Sequence, residues 1–519
     1  MFKGILAALA VTMVAVPAKA DWYEASSDHF VVYADDKEDD IREFVGNLEK
    51  FHWAMEFVTR RSVPKPSDSN RVTIFVVGSE SKMRQLAGSR SVAGFYIPRA
   101  GASRAFVQDI RDGSGGYPHF STTVLLHEYA HHFLISGSRF AMPTWLSEGA
   151  AEFFASAFFA KDGSVSIGRP ALHRKNDFAY SERVSIEALF DPEIYEKERG
   201  ILYDQFYARS WLLYHYLTFA EERRGQLAQY WEKVRTGVPS LQAGTEAFGD
   251  LRKLDRDLRR YLQKRRLLGF DLKPDATRDD NITLRRLPAG EAAAMNLRIV
   301  SQRGVSKEEA AKLVEDAREL AARYPGDPGV LAALAEAEFD AGNDDRAIQA
   351  ADQALALDPR QKNALVQKGF ALFRKAEDAD NKASAYNAAM APFSALNALE
   401  TDHPLPLIYL YRSQIKRGVR PSETARHALE RASQLAPFDR ALTLNTALML
   451  AEEGKIALAR TQLEPLMADP HYKKLAETAR GHHEQLATVA EGTSWTPGRS
   501  LDWEDQQEAD DDEEKEGED

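Results

Sequence analysis

Prolines return at a nearly fixed interval through the second half of this chain. They stand at Pro325, Pro359, Pro404, Pro437 and Pro470, so the successive gaps are 34, 45, 33 and 33 residues. A proline lacks the amide hydrogen and crowds the preceding turn, so it stops a helix. The interval therefore marks recurring helix ends. Between them the chain is rich in alanine, and small residues fall at matching places: Ala347 and Ala354 before Pro359, Ala425 and Ala432 before Pro437. Small side chains at such points let two helices approach closely. A unit of about 34 residues holds one helix-turn-helix pair, which cannot bury its apolar face alone. The chain is thereby constrained to stack its units into an array. The gap of 45 residues points to an insertion around Ala376 to Ala388.

In its spacing and its small-residue positions, the stretch 289–490 resembles an array of four or five tetratricopeptide repeats. An irregular α-helical bundle is the alternative. The resemblance implies an all-α solenoid whose groove takes a peptide or a helix of a protein partner. The polar, aperiodic stretch from Pro274 to Asn281 reads as a linker, and 276–288 is expected to separate the array from the preceding domain.

Both ends of the chain are distinctive. Lys3, the apolar run Ile5 to Val16 and the Ala18-Lys19-Ala20 triplet predict a secretory signal peptide over 1–20, with Asp21 as the mature start. A retained N-terminal anchor is the alternative. The run is too short for a comfortable membrane span, and no later stretch approaches one. With no cysteine there are no disulfides, thiolate ligands or cysteine nucleophile. These features predict a periplasmic or secreted protein after signal cleavage. At the other end, 491–519 reads as an acidic, solvated tail. Glu504 to Asp519 holds eleven acidic residues and one lysine, which is -10 of the net charge of -12. That balance argues against nucleic acid as a partner.

The region 21–275 mixes element types, and with the array it gives more than one domain. His29 to Ala34 and Val72 to Val77 read as strands, the second continuous enough to be buried. Phe44, Leu48, Phe51 and Met55 sit at helical spacing. Val92 to Ile97 and Arg104 to Gln108 predict a hairpin or two neighbouring edge strands. Ile201 to Phe219 is an aromatic helix and Leu251 to Leu268 a basic amphipathic one. The chemistry concentrates in His127-Glu128-Tyr129-Ala130-His131. This run lies in a helix that Ser121 or Thr122 caps and Gly137 ends. His127 and His131 then point the same way and can hold one metal ion, with Glu128 placed to work on a water. Leu134 and Gly137 exclude a third histidine at the next turn. Pro143 and Thr144 open a second helix after a short turn, which brings Glu148 beside the imidazoles. Glu152, one turn on, can accept a hydrogen bond from a ligand histidine. His132 reads as a packing or surface residue and Trp145 as a core anchor.

HEYAH at 127–131 followed by WLSEGAAE at 145–152 resembles the gluzincins, the zinc peptidases that include thermolysin and the zinc aminopeptidases. The likeness to peptidase-MA-like bacterial proteins extends over 21–275. It implies an α+β zincin-like catalytic domain with Zn2+ held by His127, His131 and Glu148. It also implies Glu128 as the base and Glu152 as support for a ligand histidine. Tyr207, which precedes Ser210 and Trp211, is the implied oxyanion donor, with Tyr203 as the alternative. No G-x-M-x-N segment precedes the motif, so endopeptidase action is expected rather than recognition of a free amine. Ala105 to Gln108 is the strand expected to hold an extended peptide.

The expected function is zinc-dependent hydrolysis of peptide bonds in exported proteins, with the array docking the substrate or a partner. One alternative is a non-catalytic tetratricopeptide scaffold with a structural or vestigial zinc site. Another is a zinc hydrolase acting on a non-peptide amide.

Overall fold

The computed structural model describes residues 21–89, 92–111, 117–136, 141–199, 204–275, 280–469 and 472–497. The signal peptide expected over 1–20 and the acidic run beyond 497 lie outside the described residues, as do Gly137 and Tyr203.

Runs rich in β-branched and aromatic residues form β1 (Tyr23–Ser26), β2 (Phe30–Ala34), β3 (Val72–Val76), β4 (Gly94–Ile97) and β5 (Arg104–Val107). Strands β6 (Phe158–Phe159), β7 (Val165–Ile167) and β8 (Phe270–Leu272) make a small antiparallel sheet, and β9 (Thr283–Arg286) returns to the first. The main sheet runs β4-β5-β3-β2-β1-β9. Strands β2, β3 and β5 are parallel, and the flanking ones antiparallel. Its side chains alternate with period two. Phe30, Val32, Ile74, Val76, Ala105 and Val107 face a core shared with α1 (Glu38–Thr59), while Tyr33, Phe75 and Phe106 face the opposite one. Phe44, Leu48, Phe51 and Met55 of α1 are buried on the first face, as their spacing predicts. Helix α2 (Glu80–Ala87) lends Met83 and Leu86 to the second.

Two expectations are corrected here. The interval 276–288 is not a plain linker: Thr283–Arg286 pairs with β1, from Tyr23↔Arg286 to Ser26↔Thr283. Its Thr-Leu-Arg-Arg sequence is largely exposed and lacks apolar alternation, so nothing in the pattern marked it as a strand. Nor does Ala105–Val107 offer a free edge. Strand β5 lies between β3 and β4, which use both of its backbone edges, and the outermost strand is β4.

Helices α3 (Phe120–Ser136) and α4 (Thr144–Ala155) follow the sheet. Short helices α5 (Lys175–Tyr180), α6 (Ile186–Phe190) and α7 (Pro192–Glu198) lead to α8 (Phe206–Phe219), α9 (Gln226–Arg235), α10 (Ser240–Phe248) and α11 (Leu251–Leu262). Helix α8 lies tightly on α4 because Gly149 has no side chain. A Cβ there would stand 2.5 Å from the backbone oxygen of Ser210.

The rest is a tetratricopeptide-like array of helical hairpins. It comprises α12 (Ala289–Arg303), α13 (Lys307–Arg323), α14 (Pro328–Asp340), α15 (Asp344–Leu357), α16 (Lys362–Lys375), α17 (Lys382–Leu399), α18 (Pro404–Lys416), α19 (Glu423–Leu435), α20 (Arg440–Glu452), α21 (Ile456–Met467) and α22 (Lys473–Leu486). Ala347, Ala354, Ala425 and Ala432 are fully buried where helices meet. The long proline gap is filled by a 3-10 turn at Ala376–Asp378 and by the 18 residues of α17. Turns inside hairpins need a left-handed residue, and glycine supplies it at Gly342 (φ 78°) and Gly454 (φ 77°). The array is not separate from the sheet. Met295 and Ile299 of α12 pack on Tyr33, Phe75 and Phe106.

Gly149→Ala is expected to destabilise the protein by about 1–3 kcal/mol, because the clash is with backbone that cannot rotate away. Thermal melting checks it; an unchanged Tm would refute the close α4–α8 contact.

Candidate metal centre

Helix α3 presents His127 and His131 one turn apart, with ring centroids 4.8 Å apart. Helix α4 is buried from Trp145 to Ala155 except at Ser147, so a carboxylate in its first turns has nowhere to go but inward. Trp145 is fully buried, and its indole N–H donates to Tyr230 Oη at 2.7 Å, anchoring the start of α4 as a core residue. Glu148 then has no exposed surface. Its Oε2 lies 3.3 Å from His127 Nε2 and 3.4 Å from His131 Nε2, and the two nitrogens are 3.1 Å apart.

Those three distances test a metal directly. A tetrahedral zinc ion with bonds of about 2.0–2.1 Å sets its donor atoms about 3.3 Å apart. The triangle of two imidazole nitrogens and one carboxylate oxygen has that size and that chemistry, so the residues fit zinc. Among the described residues this is the group of three whose ligand atoms all lie within 4.8 Å of one another.

The far side of each ring is also occupied. Ser147 Oγ lies 3.1 Å from His131 Nδ1, and Glu152 Oε1 lies 3.2 Å from His127 Nδ1. A proton on each Nδ1 leaves the lone pair on Nε2, aimed into the triangle. Glu152 is held in turn by His173, whose Nε2 donates to Oε2 at 2.5 Å. Arg174 Nε and Nη2 donate to Oε1 at 2.9 and 2.5 Å. Burial alone would raise the Glu152 pKa, but the Arg174 charge and the two histidine contacts hold it well below the usual carboxylate range. Sequence reasoning found Glu152 by its four-residue offset from Glu148. It missed Ser147, His173 and Arg174, which no spacing rule selects.

Glu128 is half-buried on the same helix. Its charge reaches both Tyr207 on α8 and Tyr96 on β4. The Tyr207 ring centroid is 6.5 Å from that of His127. Burial, then the Glu148 charge, pushes the Tyr207 pKa well above its ordinary value, so its hydroxyl remains a proton donor. Tyr203 lies outside the described residues, so the choice between the two tyrosines rests on Tyr207's placement alone. His132 points away from the triangle: its Nδ1 bonds Tyr96 Oη at 2.6 Å and its ring lies 4.3 Å from Phe438.

No family model and no curated protein matches the chain. Solved structures titled "MamA RS-1 ArsTM double mutant" and "MamA 41-end from Desulfovibrio magneticus RS-1" are each 19% identical over 37% and 38% of this chain, and over 97% and 94% of their own. A third, "Crystal structure of MamA", is 17% identical over 39% of this chain and 99% of its own. The TM-scores are 0.27, 0.26 and 0.26, a likeness too low to carry any statement about function.

Burial alone would strip the proton from His127, but Glu148 and Glu152 outweigh it and push the pKa up to about 10. The protonated ring therefore stabilises the metal-free fold below about pH 6.5, and that contribution is lost as pH rises through the folded value. To hold zinc through Nε2, His127 would have to give up that proton. Zinc uptake near neutral pH is expected to release about one proton, with apparent affinity rising about tenfold per pH unit. Calorimetry in buffers of different ionisation enthalpy reads the proton, and a heat independent of buffer would refute it.

Proposed function

We propose that this chain is a zinc-dependent peptidase built onto a helical repeat scaffold. The observation that carries the reading is the buried donor triangle of His127, His131 and Glu148, with Glu128 beside it on the same helix. Zinc, when bound, would supply Lewis-acid polarisation of a carbonyl and of a water. The residues divide the remaining work. Glu128 takes a proton from the attacking water as its oxygen bonds the carbonyl carbon, and delivers it to the amide nitrogen as the C–N bond breaks. One water is consumed, and a carboxylate and a protonated amine leave. Tyr207, kept protonated by its surroundings, donates to the carbonyl oxygen as charge gathers there. Strand β4, the outer strand of the sheet and a neighbour of α3, is the edge suited to an extended peptide, in place of 105–108. The expected setting is the periplasm or the medium, where exported polypeptides are the substrates.

A second reading has its own support. The helical array occupies most of 289–486, an architecture suited to docking a protein partner, and a zinc site can serve as a prop alone. Glu128 distinguishes the two, because holding zinc does not require it.

Glu128→Gln is expected to keep bound zinc and to lower hydrolysis of an unfolded protein by at least about a hundredfold. Metal content by elemental analysis and proteolysis of unfolded casein check it. Equal inactivity of wild type and variant, both with zinc bound, favours the scaffold.

A further inference from the structure

The second support of the triangle reaches across to the tyrosine. Glu152 is 1% exposed, yet three basic side chains converge on it. His127 Nδ1 and Arg174 share its Oε1, while His173 takes Oε2. Arg174 does not stop there. Its guanidinium carbon lies 4.9 Å from the centre of the Tyr207 ring. One planar cation thus touches the carboxylate behind a metal-facing histidine on one side and the aromatic face of the candidate oxyanion donor on the other. Asp177 adds a looser contact at 3.6 Å from Nη1.

Stability alone is a poor explanation for this arrangement. A buried ion pair is commonly no more stable than well-packed apolar residues of the same volume, so its use lies in geometry. Arginine also suits the position as lysine would not. Its rigid fork bonds a carboxylate through two nitrogens and presents a flat face to a ring. Glu152 lies on α4, Tyr207 on α8, and Arg174 on the turn before α5. The three come from separate stretches of the chain and meet around this guanidinium.

We propose that Arg174 is the positioning residue of the site, fixing Glu152 against His127 and Tyr207 against the metal triangle at the same time. The inference rests on the zinc-site reading and deepens it. Arg174 touches neither metal nor substrate; it acts through Glu152 and Tyr207.

The test uses the full-length protein and two substitutions, Arg174→Ala and Arg174→Lys, with Tyr207→Phe as companion. Zinc affinity is read by chelator competition and ligand geometry by the visible spectrum of the cobalt(II)-loaded protein. Neither readout needs catalysis, so a chain that hydrolyses nothing still tests the Glu152 arm. Arg174→Ala is expected to weaken zinc binding about tenfold and to alter the cobalt spectrum. Arg174→Lys restores the charge and is expected to bind zinc within about threefold of wild type. It still lowers kcat, because the flat face under Tyr207 is gone, and leaves KM nearly unchanged. In the Tyr207→Phe background the Lys substitution is expected to cost kcat little more, since the two residues act as one unit. The proposal fails if Arg174→Ala melts like wild type and binds zinc equally well. It fails likewise if the Arg174→Lys and Tyr207→Phe losses in kcat simply multiply. Should Arg174→Ala not fold, the lysine variant carries both arms, and its cobalt spectrum must match wild type for the inference to stand. Detectable zinc binding without hydrolysis in any form would overturn the peptidase reading while leaving the affinity arm decided by the numbers above.

Discussion

A carboxylate without exposed surface governs the first half of this protein. An isolated ionised carboxylate is not tolerated in a protein interior, so Glu148 needs positive charge beside it. Two imidazole nitrogens stand within 3.4 Å, and a proton on His127 or a metal ion between the three can supply that charge. Everything around Glu148 keeps it from escaping. Trp145 pins the start of α4 to Tyr230, Gly149 seats α8 against the helix, and Glu152 is tied to His173 and Arg174 one turn later. A site so held needs little reorganisation when it is filled, which is what tight binding and catalysis both require.

The same helix that carries the imidazoles joins the two halves of the chain. One side of α3 faces the triangle. The other presents His132 to Tyr96 and Phe438, and Ile135 packs into the apolar cluster of the last repeats. Beneath the sheet, α12 covers Tyr33, Phe75 and Phe106 with Met295 and Ile299. Arg104 and Arg303 add hydrogen bonds to Gln302 and Leu86 carbonyls across the same seam. A tethered substrate arm would need a polar, unpaired connection. Here the connection is a strand of the sheet followed by a helix of its core.

What was legible in the sequence is what local periodicity encodes. The His127–His131 offset, the Glu148–Glu152 offset and the stripe Phe44, Leu48, Phe51, Met55 each follow from 3.6 residues per turn. Pro325, Pro359 and Pro437 stand two residues past the ends of α13, α15 and α19, where a ring without an N–H cannot continue a helix, whereas Pro404 opens α18 and Pro470 lies outside the described residues. The sequence could not say which strand would be outermost, because pairing is a tertiary choice and β4 and β5 look alike. Strand β9 escaped because an exposed edge needs no apolar alternation. Ser147, His173 and Arg174 escaped for a different reason. A hydroxyl or a cation can support a ligand from any place the fold brings near, and Arg174 stands 22 residues beyond its carboxylate with no repeat to announce it.

The proline interval has a consequence beyond the array. Each helix end leaves backbone carbonyls, and each helix start leaves N–H groups, that its own ladder cannot satisfy. The first half docks on the turns beside Pro404 and Pro437, which close the 45-residue gap and the 33-residue gap after it. Asn70 Nδ2 donates to the carbonyl of Leu435 at 3.4 Å, and Ser67 Oγ to that of Asp402 at 3.0 Å. Glu400 accepts from the Ser69 N–H at 2.9 Å. Asp439 caps α20 through Leu442 N with one oxygen and accepts the Ala100 N–H at 2.8 Å with the other. The turns of the array, through the Leu435 and Asp402 carbonyls and the Glu400 and Asp439 carboxylates, thus supply hydrogen bonds of the interface. A partner that bound the array would therefore meet its helix faces or the turns at Gly342 and Gly418, because the turns around Asp402 and Asp439 are engaged by this chain's own first half and the turn at Gly454 is covered by Gly492, whose N–H donates to the Gly454 carbonyl at 2.8 Å.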